Sequence, residues 1–175
     1  MRQNEAPTKA EFHAAIARRS GHWYSACLRI THDEDLAADA VQDALLSAWN
    51  KRDQFEASSK LETWIHRIAI NAALQLIRKR HPERFEPLEV DVEDTTEAPD
   101  ERRALSEFGD RLSASLTGLT EIERVCFCLK HLEQWRIREI ATELGTNDGS
   151  VKQALFRAVR KLRVSLSDLR SQHDE

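Results

Sequence analysis

The stretch HPERFEPLEVDVEDTTEAPDE, which begins at His81, constrains the fold more than any other feature of the chain. It holds three of the four prolines and is dense in Asp and Glu. Such composition buries too little apolar area to offset the entropy of ordering. Residues 81–112 are therefore read as a flexible acidic linker, ending in a short helix through Leu105, Phe108 and Leu112. The flanking segments, 8–80 and 113–170, must each build a separate core.

Both flanks read as helix. Only 5 Gly interrupt 175 residues, and no run of alternating β-branched residues argues for sheet. In the first flank, Phe12, Ile16, Trp23, Cys27 and Ile30 recur at helical spacing. His32-Asp33-Glu34-Asp35 breaks that stripe and supplies acids for the next helix N-terminus. Leu36, Val41, Leu45, Leu46 and Trp49 mark a second apolar stripe. A polar loop runs from Asp53 to Lys60, and Leu61, Trp64, Ile65, Ile68, Leu74 and Ile77 mark a third helix. In the second flank, the stripes are Leu119–Leu132, Ile137–Leu144 and Val151–Leu162. The four tryptophans fit these stripes; Trp49 and Trp64 are expected in the core, Trp23 and Trp135 in the core or against a partner. The fold class is all-α, with two small helical domains.

The net charge of −4 argues against a generally basic nucleic-acid binder, but the charge is segregated. From Ser150 to Arg163 the chain carries Lys152, Arg157, Arg160, Lys161 and Arg163 and no acid. That helix comes after REIATELGTNDGS. Ala141 is small enough for two helices to approach closely, Gly145 can take a left-handed turn, and Asp148 or Ser150 can cap the next helix. Together these describe a helix-turn-helix whose second helix enters a major groove. Its expected DNA contacts are Ser150, Lys152, Gln153, Phe156, Arg157, Arg160 and Lys161. Gln153 suits adenine, Arg157 a guanine edge or phosphate, and Phe156 a thymine methyl group.

Two further motifs carry a family resemblance. DAVQDALLSAW (Asp39–Trp49) and KLETWIHRIAINAALQLIRKR (Lys60–Arg80) resemble the second conserved region of extracytoplasmic-function sigma factors. LTEIERVCFCLKHLEQWRIREIATELG and GSVKQALFRAVRKL are similar to the fourth. The resemblance implies a bacterial RNA polymerase specificity subunit of the sigma-70 family. It implies that Asp39, Gln42, Asp43 and Leu46 dock on the polymerase clamp, with the second domain on the flap. It implies that Lys60, Arg67, Asn71, Arg78, Lys79 and Arg80 hold melted minus-ten DNA, while the helix-turn-helix reads the duplex minus-thirty-five element. An anti-sigma factor or other regulatory partner is implied as well. Four positions depart from the family pattern. Ala38 stands where an acid is usual, Gln75 replaces a common Asp, and Gln153-Ala154 replaces a frequent Ser-Arg pair. The thinner charge at Ala38 raises phosphorylation as a means of control, with Thr63 the candidate.

Other functions fit less well. A metal site would need Cys126, Cys128 and His131, yet residues two apart on a helix diverge, and no metal or other cofactor is expected. No phosphate loop, H-E-x-x-H or nucleophile elbow points to an enzyme. A stand-alone helix-turn-helix regulator would explain only the C-terminal half. The polar N-terminus, the odd cysteine count and the lack of a long apolar run give the expectation of a reduced cytoplasmic protein without membrane insertion.

Overall fold

The computed structural model describes residues 6–56, 58–85, 112 and 114–171. Most of the expected linker, including Leu105 and Phe108 of its short helix, lies outside the described residues, as does the tail after Ser171. The described residues form helices, turns and loops without strand, in two compact units that divide between Pro82 and Glu83.

The first unit packs three helices pairwise: α1 (Lys9–Thr31), α2 (Glu34–Asn50) and α3 (Leu61–Arg80). Thr8 and Glu11 form a reciprocal capping box at the start of α1, with the Glu11 amide donating to Thr8 Oγ1 at 3.2 Å. His32 ends α1 in the left-handed region at φ 53°. Asp33 then caps α2 by accepting from the Leu36 amide at 3.0 Å. Phe12, Trp23, Cys27 and Ile30 of α1 meet the stripe Ile65, Ala69, Ile70, Leu74 and Ile77 of α3, all buried. Burying one such large side chain stabilises by roughly 1.5–3 kcal/mol.

The second helix differs from expectation. Its buried face is Ala37, Ala40, Ala44 and Ala48, each at most 1% exposed. The expected stripe of larger residues lies at the rim: Leu36, Val41, Leu45 and Trp49 are half-buried, and Leu46 is 59% exposed. Alanines let α2 approach α1 and α3 closely, and that closeness leaves no room for leucine. Trp49 covers one end of the bundle, edge-on to Phe12 at 5.3 Å, with the Arg52 guanidinium 4.4 Å from its ring. A 3-10 turn over Arg52–Gln54 enters the polar loop, where Phe55 rests against the half-buried Trp64 at 5.3 Å.

The second unit contains α4 (Glu121–Phe127), α5 (Ile137–Leu144) and α6 (Asp148–Ser171). Thr120 and Glu123 cap α4 reciprocally. The helix then widens into a π-turn over Cys128–Leu132, where the Glu133 amide donates to the Cys128 carbonyl at 3.0 Å. Val125, Cys126, Cys128, Leu129 and Trp135 meet Ile140, Ala141 and Leu144 in the core, together with Val151, Ala154, Ala158 and Leu162 of α6. Ala154 takes a buried place on α6, whereas Leu155 and Val159 of the same stripe are only half-buried. A 3-10 turn over Pro82–Phe85 places part of the expected linker in contact with the fold. Phe85 is buried, and Arg84 pairs with Glu121 at 2.9 Å.

Candidate nucleic-acid interface

The turn between α5 and α6 sets the geometry of the second unit's outward face. Gly145 adopts φ 64°, which favours glycine, and ends α5 in a Schellman arrangement. The Thr146 amide donates to the Ala141 carbonyl at 2.9 Å. The cap of α6 is Asn147 rather than Asp148 or Ser150: its Oδ1 accepts from the Ser150 amide at 2.8 Å. An amide side chain caps as well as a carboxylate does, so the TNDGS sequence alone left the choice open.

At about 100° per residue, Lys152, Phe156, Arg160 and Arg163 fall within an arc of about 80°. All four are exposed, and they lie opposite the buried Val151, Ala154, Ala158 and Leu162. Phe156 is 54% exposed, which leaves its ring available at the centre of a basic face. Ser150, Gln153 and Arg157 flank this arc and are half-buried. Arg163 is not among the contacts expected from sequence and belongs to the face by geometry. Lys161 does not belong to it: its ammonium lies 2.7 Å from Glu123 of α4.

In the first unit, Asp39, Gln42, Asp43 and Leu46 are all exposed and share one face of α2. That face spans about 100° and lies opposite the alanine seam. Beside it, Ser20, Gly21 and Tyr24 of α1 and Ala38, Val41, Gln42 and Leu45 of α2 line an open groove with mostly apolar walls.

On α3 and at its cap, Lys60, Arg67, Asn71 and Arg78 form a single stripe within about 40°. Lys60 and Arg67 are exposed; Asn71 and Arg78 are half-buried. The Asn71 side-chain oxygen is enclosed without a hydrogen-bond donor among the described residues. Arg80 leaves the stripe and pairs with Asp33 at 2.7 Å, tying the end of α3 to the cap of α2. The Leu36 amide and this guanidinium hold the Asp33 carboxyl below its ordinary value. Lys79 and Thr63 are exposed to either side of the stripe.

Cys27, Cys126 and Cys128 are all buried. Burial pushes the Cys126 thiol up to about 12, with the neighbouring Cys128 adding to the shift. Such a thiol is a packing group, not a nucleophile. His131 lies 4.9 Å from Phe127, and burial lowers its pKa.

Comparison with known proteins places these faces in a family. Sigma-70 region 2 matches residues 16–83, and Sigma-70 region 4 matches residues 109–162. The ECF RNA polymerase sigma factor SigL of Mycobacterium tuberculosis is 33% identical over 164 residues, covering 90% of this chain and 86% of SigL. This chain belongs to the ECF sigma factors. The sigma factor SigG of the same organism is 32% identical over 162 residues, and there the chain spans only 43% of the relative's length. The solved sigma factor RpoE of Bartonella quintana, in complex with the anti-sigma factor NepR, is similar with a TM-score of 0.55 and 25% identity. That match covers 90% of this ECF sigma factor and 97% of RpoE. The two regions fall on the two structural units, so the α2 and α3 faces lie in region 2 and the outward face of α6, apart from Arg163, in region 4.

Proposed function

We propose that this chain binds core RNA polymerase and directs promoter-specific initiation, acting by recognition and catalysing no reaction itself. The observation that carries the proposal is the pairing of regions 2 and 4, in that order, in one chain of SigL-like extent. A stand-alone helix-turn-helix regulator has no use for the region 2 unit and is the weaker reading.

The residues divide among three tasks. Asp39, Gln42, Asp43 and Leu46 dock the first unit on the polymerase clamp, where an exposed apolar side chain next to polar ones suits a protein contact. The stripe Lys60, Arg67, Asn71 and Arg78, with Lys79 beside it, tracks the backbone of melted minus-ten DNA; the Asn71 carboxamide carries a donor and an acceptor for an unstacked base, and its enclosed oxygen reaches one only if the side chain turns outward. Arg80 contributes through its hold on Asp33. Lys152, Phe156 and Arg160, flanked by Ser150, Gln153 and Arg157, face the duplex minus-thirty-five element, with the second unit seated on the flap. Phosphate contacts supply affinity, while Gln153, Phe156 and Arg157 supply sequence preference.

The setting is cytoplasmic, in keeping with reduced cysteines, and no described helix is long and apolar enough to cross a membrane. Regulation by an anti-sigma protein is the natural proposal, because RpoE was solved bound to one. Phosphorylation of exposed Thr63 is the second route. Equal transcription by Thr63→Ala and Thr63→Asp would remove that route. The function itself is tested by reconstitution: the purified chain and core polymerase should together initiate at a defined start site, and neither should do so alone.

A further inference from the structure

We infer that Lys161 is a positioning residue for the minus-thirty-five-reading helix rather than one of its DNA contacts, acting through a strut to Glu123 of α4. The inference rests on the proposal that α6 reads DNA.

Lys161 Nζ lies 2.7 Å from Glu123 Oε2, and the Glu123 side chain is only 4% exposed. The same oxygen accepts from the Thr120 amide at 2.9 Å, and the Glu123 amide in turn donates to Thr120 Oγ1. One enclosed carboxylate therefore joins the turn before α4, α4 itself and α6. The Lys161 side chain is itself 45% exposed, but removing its ammonium would leave an enclosed carboxylate without its cation, which favours the pair over a phosphate contact. On the helix, Lys161 stands about 100° from Arg160, off the outward arc.

The packing explains why a strut is needed. Ala154 and Ala158 lie on the buried face of α6. Small side chains allow close approach but resist rotation about the helix axis weakly. A single directed ion pair, one turn beyond Arg157, fixes that rotation. Rotation sets where Lys152, Phe156 and Arg160 point, and a small error there misplaces all three in a groove.

The test uses the full chain with core polymerase on a promoter fragment identified by transcript mapping, and measures affinity against salt. Lys161→Met is expected to lower affinity several-fold at every salt concentration with an unchanged salt slope. Lys161→Arg should restore affinity, and Glu123→Gln, which keeps an acceptor for the Thr120 amide, should copy the loss. A slope reduced by about 0.9 in Lys161→Met, with the defect fading at high salt, would mark a phosphate contact and overturn the inference. Unchanged affinity in both Lys161→Met and Glu123→Gln would overturn it too. Failure of the unmodified holoenzyme to distinguish the promoter from one with a scrambled minus-thirty-five element would instead refute the reading of α6 itself, before any variant is made.

Discussion

Replacing Ala44 by Leu tests the arrangement of the first unit against hydrophobic intuition. Ala44 is 1% exposed, in the middle of a seam that contacts both neighbouring helices. Leucine adds three carbons at a site already closed to solvent. Overpacking of that size typically costs about 1–3 kcal/mol. In a domain of this size each kcal/mol lowers Tm by roughly 4–8 °C, so a drop of at least about 4 °C is expected. The companion change, Leu46→Ala, removes the same carbons from a side chain that is 59% exposed. Its stability should stay within about 0.5 kcal/mol of the parent. Thermal unfolding of both full-length variants, monitored by circular dichroism and tryptophan fluorescence, separates the two. Leu46→Ala should instead weaken association with core polymerase, since Leu46 is the exposed apolar side chain of the proposed clamp face. A neutral Ala44→Leu alongside a destabilised Leu46→Ala would refute the alanine seam and turn α2 around.

Gly145→Ala forces a Cβ into a backbone at φ 64° and should destabilise the second unit by about 1 kcal/mol net, read from its unfolding curve. Lys152→Ala and Arg160→Ala should each reduce the slope of log affinity against log salt by about 0.9, whereas Leu46→Ala should leave that slope intact. For Glu123, burial opposes ionisation, but the Lys161 and Thr120 hydrogen bonds outweigh it and hold the carboxyl below its ordinary 4.5. Its contribution to stability is therefore complete above the unfolded value and is lost as pH falls through the lower folded value. Denaturant titrations from neutral to acidic pH should show Glu123→Gln converging on the parent as pH falls; a constant gap would contradict the assignment.

The sequence revealed the architecture because its signals were long-range in composition and strong in period. Ile65, Leu74 and Ile77 sit in the core as their spacing required, Trp23 takes the first of the two places open to it, and Gly145 takes the left-handed turn expected of it. Local choices between equivalent groups escaped it. Hydrophobic size pointed to Leu45 and Leu46 as the inner face of α2. Distance between helices, which no single helix encodes, selected Ala40 and Ala44. Asn147, Asp148 and Ser150 all cap helices, and only the backbone path decided for Asn147. The basic run Ser150–Arg163 marks one exposed basic face in kind. It could not show that Lys161, still 45% exposed, pairs with an enclosed carboxylate, because that partner, Glu123, lies 38 residues away in sequence. Arg80 groups with Arg78 and Lys79 by adjacency, although consecutive helical positions point in different directions and Arg80 reaches Asp33.

The most direct measurement is run-off transcription by core polymerase with and without this chain, on templates carrying a mapped promoter of the cell that encodes it. The account predicts a start-site-specific transcript only when chain and core are combined, with loss of that transcript on Asp39→Ala/Gln42→Ala/Asp43→Ala substitution. Tight promoter binding by the chain alone, with no association with core and no transcript, would contradict it.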